Sequence, residues 1–418
     1  MSETQFRGQS SFRFLFFQEK ERPPGEGAKG DGLQMIHDLT RDTARTWAEI
    51  RLDNLEHNYR ALRSCAPDSR FLATVKANAY GHGAVPMARR LEALGADYLA
   101  TACLDEAAAL RKAGIKAPIL ILGCTPPELA GELVDLDITQ TVFTPELARA
   151  LSEAAGAAGK RAKIHLKADT GMSRLGVLCH DPEEAAAELN ALCALPHLEP
   201  EGVFTHFSVS DGEGADSEDY TMLQFTRFLD VLRELEEKYG RTFEIRHCAN
   251  SGAVLHYPCT HLDMIRPGIA LYGHYPDPSC EELDGPGLRP VMSLYSRVAA
   301  VRDLPADTPV SYGRTAEFGG EGGRIAILPI GYADGFHRML SNESSVWLDG
   351  QCRPIMGRIC MDMCMIGLDK AAGVRPGDVA EVFGEHLPVE WHAKTAGTIS
   401  YELLCAVAPR VPRIWLDA

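Results

Sequence analysis

Residues 71–83 read F-L-A-T-V-K-A-N-A-Y-G-H-G, an apolar run that ends on a lysine and passes at once into a glycine-punctuated turn. A run of this length, rich in residues that suit a buried strand, is the pattern of a core strand. It delivers Lys76 to the strand's carboxyl end, where α/β folds place their chemistry. A lysine there can lose its charge by desolvation and act as an imine-forming nucleophile or as a base. A lone lysine at a strand end is more often a solvated one, so its surroundings decide.

Working outward, the chain alternates helix-like and strand-like segments from residue 54. Asn54 can cap a helix carrying Leu55, Tyr59 and Leu62 on one face. After Lys76 a helix is expected over Val85–Leu94, stopping at Gly95. Further strands are expected at Tyr98–Cys103, Pro118–Leu122, Thr139–Phe143, Lys163–Ala168, Gly202–Phe207, Ile245–Ala249 and Asp263–Arg266. Helical stretches such as Asp181–Leu195 and Glu218–Tyr239 separate most of them, and the segment between the third and fourth strands is short. Eight strands within ~220 residues fit a (β/α)8 barrel better than an open sheet.

The strand ends carry polar groups. The fifth runs into L-K-A-D-T-G-M-S-R-L-G with Lys167, Asp169 and Arg174, the sixth into T-H-F with His206. The seventh ends in C-A-N-S-G with Asn250 and Ser251, the eighth in I-R-P-G-I-A-L-Y-G with Arg266. Singly each suits a cap or a turn; in a barrel all converge on one face. The Ser251-Gly252 turn and the Gly268-Ile269 segment could offer N–H groups and a hydroxyl to a phosphate. A reactive lysine facing a phosphate site suggests pyridoxal phosphate, whose aldehyde forms an imine with lysine. Arg266 would then meet the pyridine nitrogen.

Composition sets the frame. The 418 residues are 45% hydrophobic and 24% charged, enough for a sizeable core and a second domain. Mean hydropathy is −0.14, and no apolar run approaches the ~20 residues of a membrane span. A net charge of −16 without a basic stripe argues against nucleic acid. The twelve cysteines are scattered, and Cys103, Cys193, Cys248 and Cys405 sit in apolar contexts. Only Cys360 and Cys364 approach a metal spacing, without a second pair. They read as reduced core thiols of a cytoplasmic protein that binds no metal. Residues 1–45 read as a disordered extension, with Phe14–Phe17 too short for a signal-peptide core and Met35 a possible alternative start.

The motifs T-V-K-A-N-A-Y-G-H-G, H-L-K-A-D-T-G-M-S-R-L-G, C-A-N-S-G, I-R-P-G-I-A-L-Y-G, V-S-Y-G, G-Y-A-D-G, G-R-I-C-M-D-M and I-S-Y-E follow one another in the order of a known family. Over roughly residues 46–415 the chain resembles alanine racemase. The resemblance implies a barrel over 46–285 and a mainly β carboxyl-terminal domain over 286–418, with residues 46–53 joining the latter. It also implies a head-to-tail homodimer with shared active sites, supplying D-alanine for peptidoglycan. Short strand-like runs such as Arg324–Pro329 and Asp378–Phe383 agree with a β domain.

Carried over by the resemblance, Lys76 is the imine lysine and one of two bases, and Tyr312 is the opposing base from the partner subunit. Tyr80, Ser251, Gly268, Ile269 and Tyr401 resemble phosphate contacts, and Asn250 lies in the same cofactor-binding turn. Arg174 resembles the contact to the phenolic oxygen and to substrate, and His206 the support of Arg266. Tyr332 and Met361 look like substrate-side residues of the partner. Lys167 matches a lysine that is often carbamylated. Asp211, Arg358 and Ile399 match an access corridor.

Racemisation needs a base on each face of the α-carbon. Lysine and tyrosine both have reference pKa values near 10 and need help from their surroundings. Arginine opposite the pyridine nitrogen leaves it unprotonated, which disfavours long-lived carbanion chemistry. The related lyases and decarboxylases would be expected to carry an acid there. The nearest rivals are a racemase of another small amino acid such as serine, and a non-catalytic pyridoxal-phosphate-binding protein. Two phenols, Tyr401 and Tyr332, leave little room beyond a methyl group.

Overall fold

Eight parallel strands form in the computed structural model, which describes residues 41–277 and 286–417. They run Arg70–Thr74, Tyr98–Thr101, Ile119–Ile121, Thr139–Val142, Ala162–Asp169, Leu198–Phe204, Ile245–His247 and Met264–Ile265. Each of the first six pairs in parallel with the next, and the eighth returns to pair with the first. Between the seventh and eighth, Asp263 N–H donates to Arg246 O (3.1 Å) and Arg266 N–H to Ala249 O (2.9 Å). The sheet is therefore a nearly closed barrel of the (β/α)8 type, as its alternation predicted.

The helices follow the same logic. Ala84–Leu94 stops at Gly95, whose φ of 88° suits glycine. Pro182–Cys193 is capped by Asp181, which accepts from the N–H groups of Glu183 and Glu184. The helix between the third and fourth strands is only Ala130–Asp135. One capping expectation fails. The first helix begins at Leu52 with Arg51 at its cap, and Asn54 instead donates to Pro290 O at 2.7 Å.

Past residue 290 the chain builds a six-stranded sheet ordered Gln351–Pro354, Ser345–Leu348, Val379–Phe383, Met292–Arg297, Thr46–Arg51, Arg413–Leu416. Thr46–Arg51 lies inside it, antiparallel to Met292–Arg297 and parallel to Arg413–Leu416. A second sheet joins Ala300–Leu304, Gly323–Leu328 and Cys364–Leu368. The helix Ser400–Ala406 turns back onto the barrel mouth, where a Cβ on Gly81 would meet Leu404 O at 2.2 Å.

Residues 1–40 and 278–285 lie outside the described residues, and with them Met35, Phe14–Phe17 and the domain junction near 285. Residues 41–45, read from sequence as part of the extension, are folded. Arg41 pairs with Glu49 at 2.5 Å, and Arg45 pairs with the buried Asp334 at 2.6 Å. Cys193 and Cys248 are buried thiols, but Cys103 and Cys405 are exposed. Cys103 occupies a helix cap position, and Cys405 lies on the rim of the cavity described next.

Candidate active site

The first barrel strand ends two residues before Lys76, and the turn that follows has an unusual backbone. Ala77, Asn78, Ala79 and Tyr80 all carry φ between 52° and 55°. The left-handed region costs an ordinary residue roughly 1–2 kcal/mol, so four in succession need external fastening. Glu106 supplies part of it, accepting from Ala77 N–H (2.7 Å) and Ala102 N–H (2.8 Å). Asn78 accepts from Ala84 N–H through its side chain and from Gly83 N–H through its carbonyl, both at 2.9 Å. The turn leaves the Lys76 amine in the barrel mouth and the Tyr80 ring packed between Tyr272 and Tyr401. The glycines at 81 and 83 announced a turn; nothing local announced its hand.

Lys76 lines a cavity of about 600 Å³ with Tyr80, Lys167, Arg174, His206, Asn250, Ser251, Arg266, Gly268, Ile269 and Tyr401. Thus the barrel residues singled out from sequence meet there, apart from Asp169, joined by Tyr401 from the carboxyl-terminal helix. Burial, then the charge of Arg174, lowers the Lys76 pKa; Cys405 and Glu106 pull the other way, and Arg266 adds the least. Lys167 is fully enclosed, and burial with Arg266 and Arg174 pushes it well below its ordinary value. Its amine sits 4.2 Å over the Phe204 ring.

Arg266 has four partners. It donates to Thr205 O (2.9 Å), Cys248 O (3.0 Å), His247 Nδ1 (3.0 Å) and His206 Nδ1 (3.3 Å). Arginine only donates, so His247 must accept at Nδ1 and carry its hydrogen on Nε2, which lies 2.8 Å from His165 Nδ1. Burial lowers Arg266 to about 10, which still leaves it cationic at neutral pH. Burial and the surrounding cations hold His206 and His247 neutral, well below the usual imidazole range.

Asp169 shapes the loop before Arg174. Its carboxylate accepts from the N–H groups of Gly171, Ser173 and Arg174, each at 3.0 Å. Asn250 lines the cavity but its side-chain oxygen serves as a helix cap, accepting from Ala253 N–H and Ser210 Oγ. Ser251 Oγ accepts from Gly268 N–H at 2.9 Å and lies 3.4 Å from Ala270 N, so the two phosphate-facing segments are tied together. At Gly268 a Cβ would stand 2.6 Å from the Tyr80 hydroxyl. The wall there is built of backbone and hydroxyl groups.

Not all candidates converge. Tyr312, Tyr332 and Met361 lie on loops of the β domain, outside the cavity, and are 71%, 43% and 54% exposed. Asp211 and Ile399 line the cavity, whereas Arg358 packs against Gly313. Sequence reading missed Glu106, Phe204 and His247. Phe204 and His247 are inward residues within barrel strands, a signal only alternation could have given.

Comparisons with known proteins agree with this geometry over both parts of the chain. Residues 50–276 match the alanine racemase N-terminal domain, and residues 291–415 the C-terminal domain. The chain belongs to the alanine racemase family. An alanine racemase of Desulforamulus reducens is 45% identical over 88% of this chain and 98% of its own. The structure of alanine racemase from Clostridium difficile 630 superposes with a TM-score of 0.84 at 38% identity, covering 90% of this chain and 96% of that one. The Bacillus anthracis alanine racemase with bound L-Ala-P gives 0.82 at 34% identity, covering 89% and 95%. Alanine racemases are isomerases that depend on pyridoxal phosphate. The donor set fits that cofactor, with a desolvated amine, a buried guanidinium and the hydroxyl-lined cradle at Gly268 around one cavity.

Proposed function

We propose that the chain interconverts L- and D-alanine, with Lys76 and Tyr312 of the partner subunit acting as bases on opposite faces of the α-carbon. The observation that carries the reading is the setting of Lys76. Its side chain is partly buried, its pKa is lowered chiefly by burial and Arg174, and it faces a cavity of about 600 Å³. When bound, pyridoxal phosphate supplies a conjugated ring that accepts the electron pair left on the α-carbon.

Lys76 would hold the cofactor's aldehyde carbon, and Tyr80, Ser251, Gly268, Ile269 and Tyr401 its phosphate. Arg174 would meet the phenolic oxygen and the substrate carboxylate. Arg266, supported by His206 at 3.3 Å, offers the ring nitrogen donors and no proton to give up. It therefore weakens the electron sink and favours quick return of the α-proton over side reactions. Lys76 moves that proton on one face; Tyr312 of the partner subunit moves it on the other. Tyr332 and Met361 of the partner, with Tyr401, restrict the pocket to a methyl-sized side chain.

The exposure of Tyr312, Tyr332 and Met361 in one chain supports a homodimer with shared sites, since large apolar groups left open mark association surfaces. Lys167 is proposed to take up carbon dioxide. Burial with Arg266 and Arg174 favours its neutral form. In that form the amine can add to carbon dioxide and lose one proton, giving a carbamate anion beside Arg174 and Arg266. Free thiols at all eleven described cysteines support a cytoplasmic setting, where D-alanine would feed peptidoglycan.

The test is a pair of measurements on purified protein. An absorbance band near the visible edge should be present and should vanish in Lys76→Ala, and alanine should racemise faster than serine. Faster turnover of serine would replace the substrate assignment.

A further inference from the structure

The geometry points to Ser311 as a positioning residue for the Tyr312 phenol: a backbone conformation ordinarily reserved for glycine, fastened by the serine's own hydroxyl, aims the side chain that follows it. This inference rests on the reading of Tyr312 as a base.

Ser311 has φ 64° and ψ −174°. That region is essentially closed to residues bearing a Cβ, and where such strain persists the surrounding structure must over-determine it. The hairpin containing Ser311 joins Pro309–Val310 to Ala316–Glu317, with Val310 opposite Ala316. Gly313 (φ 75°) and Arg314 (φ 52°) continue the unusual path around Tyr312. A glycine at 311 would adopt the same angles without cost. Serine adds a hydroxyl, which donates to Arg358 O at 2.6 Å and lies 3.5 Å from Cys360 Sγ.

The opposite loop is shaped to receive it. A Cβ on Gly357 would stand 2.6 Å from Val310 O and 2.7 Å from Ser311 Cβ, so only glycine lets the two loops touch. Asn342 clasps them from the side, accepting from Gly357 N–H at 2.5 Å and donating to Thr315 Oγ1 at 3.1 Å. The Arg358 guanidinium lies over Gly313. The same strand of contacts reaches the third loop, where Tyr332 N–H donates to Cys360 O (3.1 Å) and Ala333 N–H to Met361 O (3.0 Å). Tyr312, Tyr332 and Met361 therefore stand on one clamped platform. The Tyr312 side chain is 71% exposed, so packing within this chain does little to aim it. Its backbone does, and Ser311 sets that backbone.

The experiment uses the full-length holoenzyme with Ser311→Ala and Ser311→Gly, compared with Tyr312→Phe. Exchange of the α-proton with D₂O is followed separately for L- and D-alanine, with kcat, KM, cofactor absorbance and melting temperature. A reacting group displaced by about 1 Å loses on the order of a hundredfold in rate. Each Ser311 variant should lower kcat about ten- to a hundredfold with KM and absorbance unchanged. Exchange should slow for one enantiomer only, the one Tyr312 deprotonates, because Lys76 on the barrel is untouched. Ser311→Gly should melt no lower than the parent, separating aim from stability. In a Tyr312→Phe background neither variant should slow racemisation further. Equal slowing of both enantiomers, or loss that tracks a lower melting temperature, would overturn the assignment. If Tyr312→Phe itself leaves both exchange rates intact, the two-base reading fails. If it slows one and the Ser311 variants slow neither, only the role of Ser311 fails.

Discussion

The barrel mouth and the β-domain platform carry the two halves of the candidate site, and they prepare their residues by different physics. At the mouth, Lys76, Lys167, His206 and Arg266 are crowded with like charge in a desolvated space, and each is shifted toward its neutral form. On the platform, Tyr312 and Met361 are open to solvent, and what is prepared there is backbone direction. Burial and charge tune reactivity within one chain. Position alone can be set in advance for a residue whose environment is supplied later by another subunit. The contrast fits the proposed shared site, in which one chain holds the cofactor and its partner brings the second base.

The sharpest way to break that comparison is to mix two inactive chains. Lys76→Ala and Tyr312→Phe should each lose at least ~10³-fold in racemisation, within the span of general acid–base contributions. After dissociation and reassociation, random symmetric dimers should recover about a quarter of the parent activity, from the one intact site in each mixed dimer. No recovery would mean that both bases act within one chain. Next in size is the cradle. In Gly268→Ala the new Cβ falls 2.6 Å from the Tyr80 hydroxyl, and titration of the apoprotein with pyridoxal phosphate should show affinity weakened about tenfold, ~1.4 kcal/mol. Gly320→Ala, on the β domain with nothing within 4 Å, should leave the affinity unchanged and serves as the control.

The smallest expected effect concerns the charge on Lys76. Arg174 helps to lower its pKa, so Arg174→Gln should raise it. A smaller fraction of neutral amine then remains at neutral pH. The apoprotein should capture pyridoxal phosphate more slowly there, and the difference from the parent should shrink as pH rises past both values. A pH-independent difference would assign Arg174 to cofactor contact alone.

Much of the barrel half was legible in the chain. Strand-length runs, most of them rich in apolar and β-branched residues, placed the eight strands within a few residues. The polar residues that closed those runs, from Lys76 to Arg266, line one cavity apart from Asp169, which holds the loop before Arg174. What was not legible lies one step further from local pattern. The left-handed turn at Ala77–Tyr80 is spelled with residues that disfavour it, and it is held by Glu106 from a neighbouring helix. His247 and Phe204 looked like strand interior, yet they carry Arg266 and face Lys167. Asn250, expected as a cofactor contact, lines the cavity, and its side-chain oxygen also caps the helix that follows.

The sequence by itself determined the architecture, the order of the site residues along the chain and the chemistry they can offer, because hydrophobic period and residue type are local properties. Only the tertiary structure decided which of them share an enclosed space, which are stripped of water and which remain open. Desolvation, like-charge crowding and the strained backbone at Ser311 arise from groups far apart in the chain. Lys76 is thus a sequence-visible residue whose reactivity is tertiary, and Tyr312 one whose aim is set by loops 30 to 50 residues away.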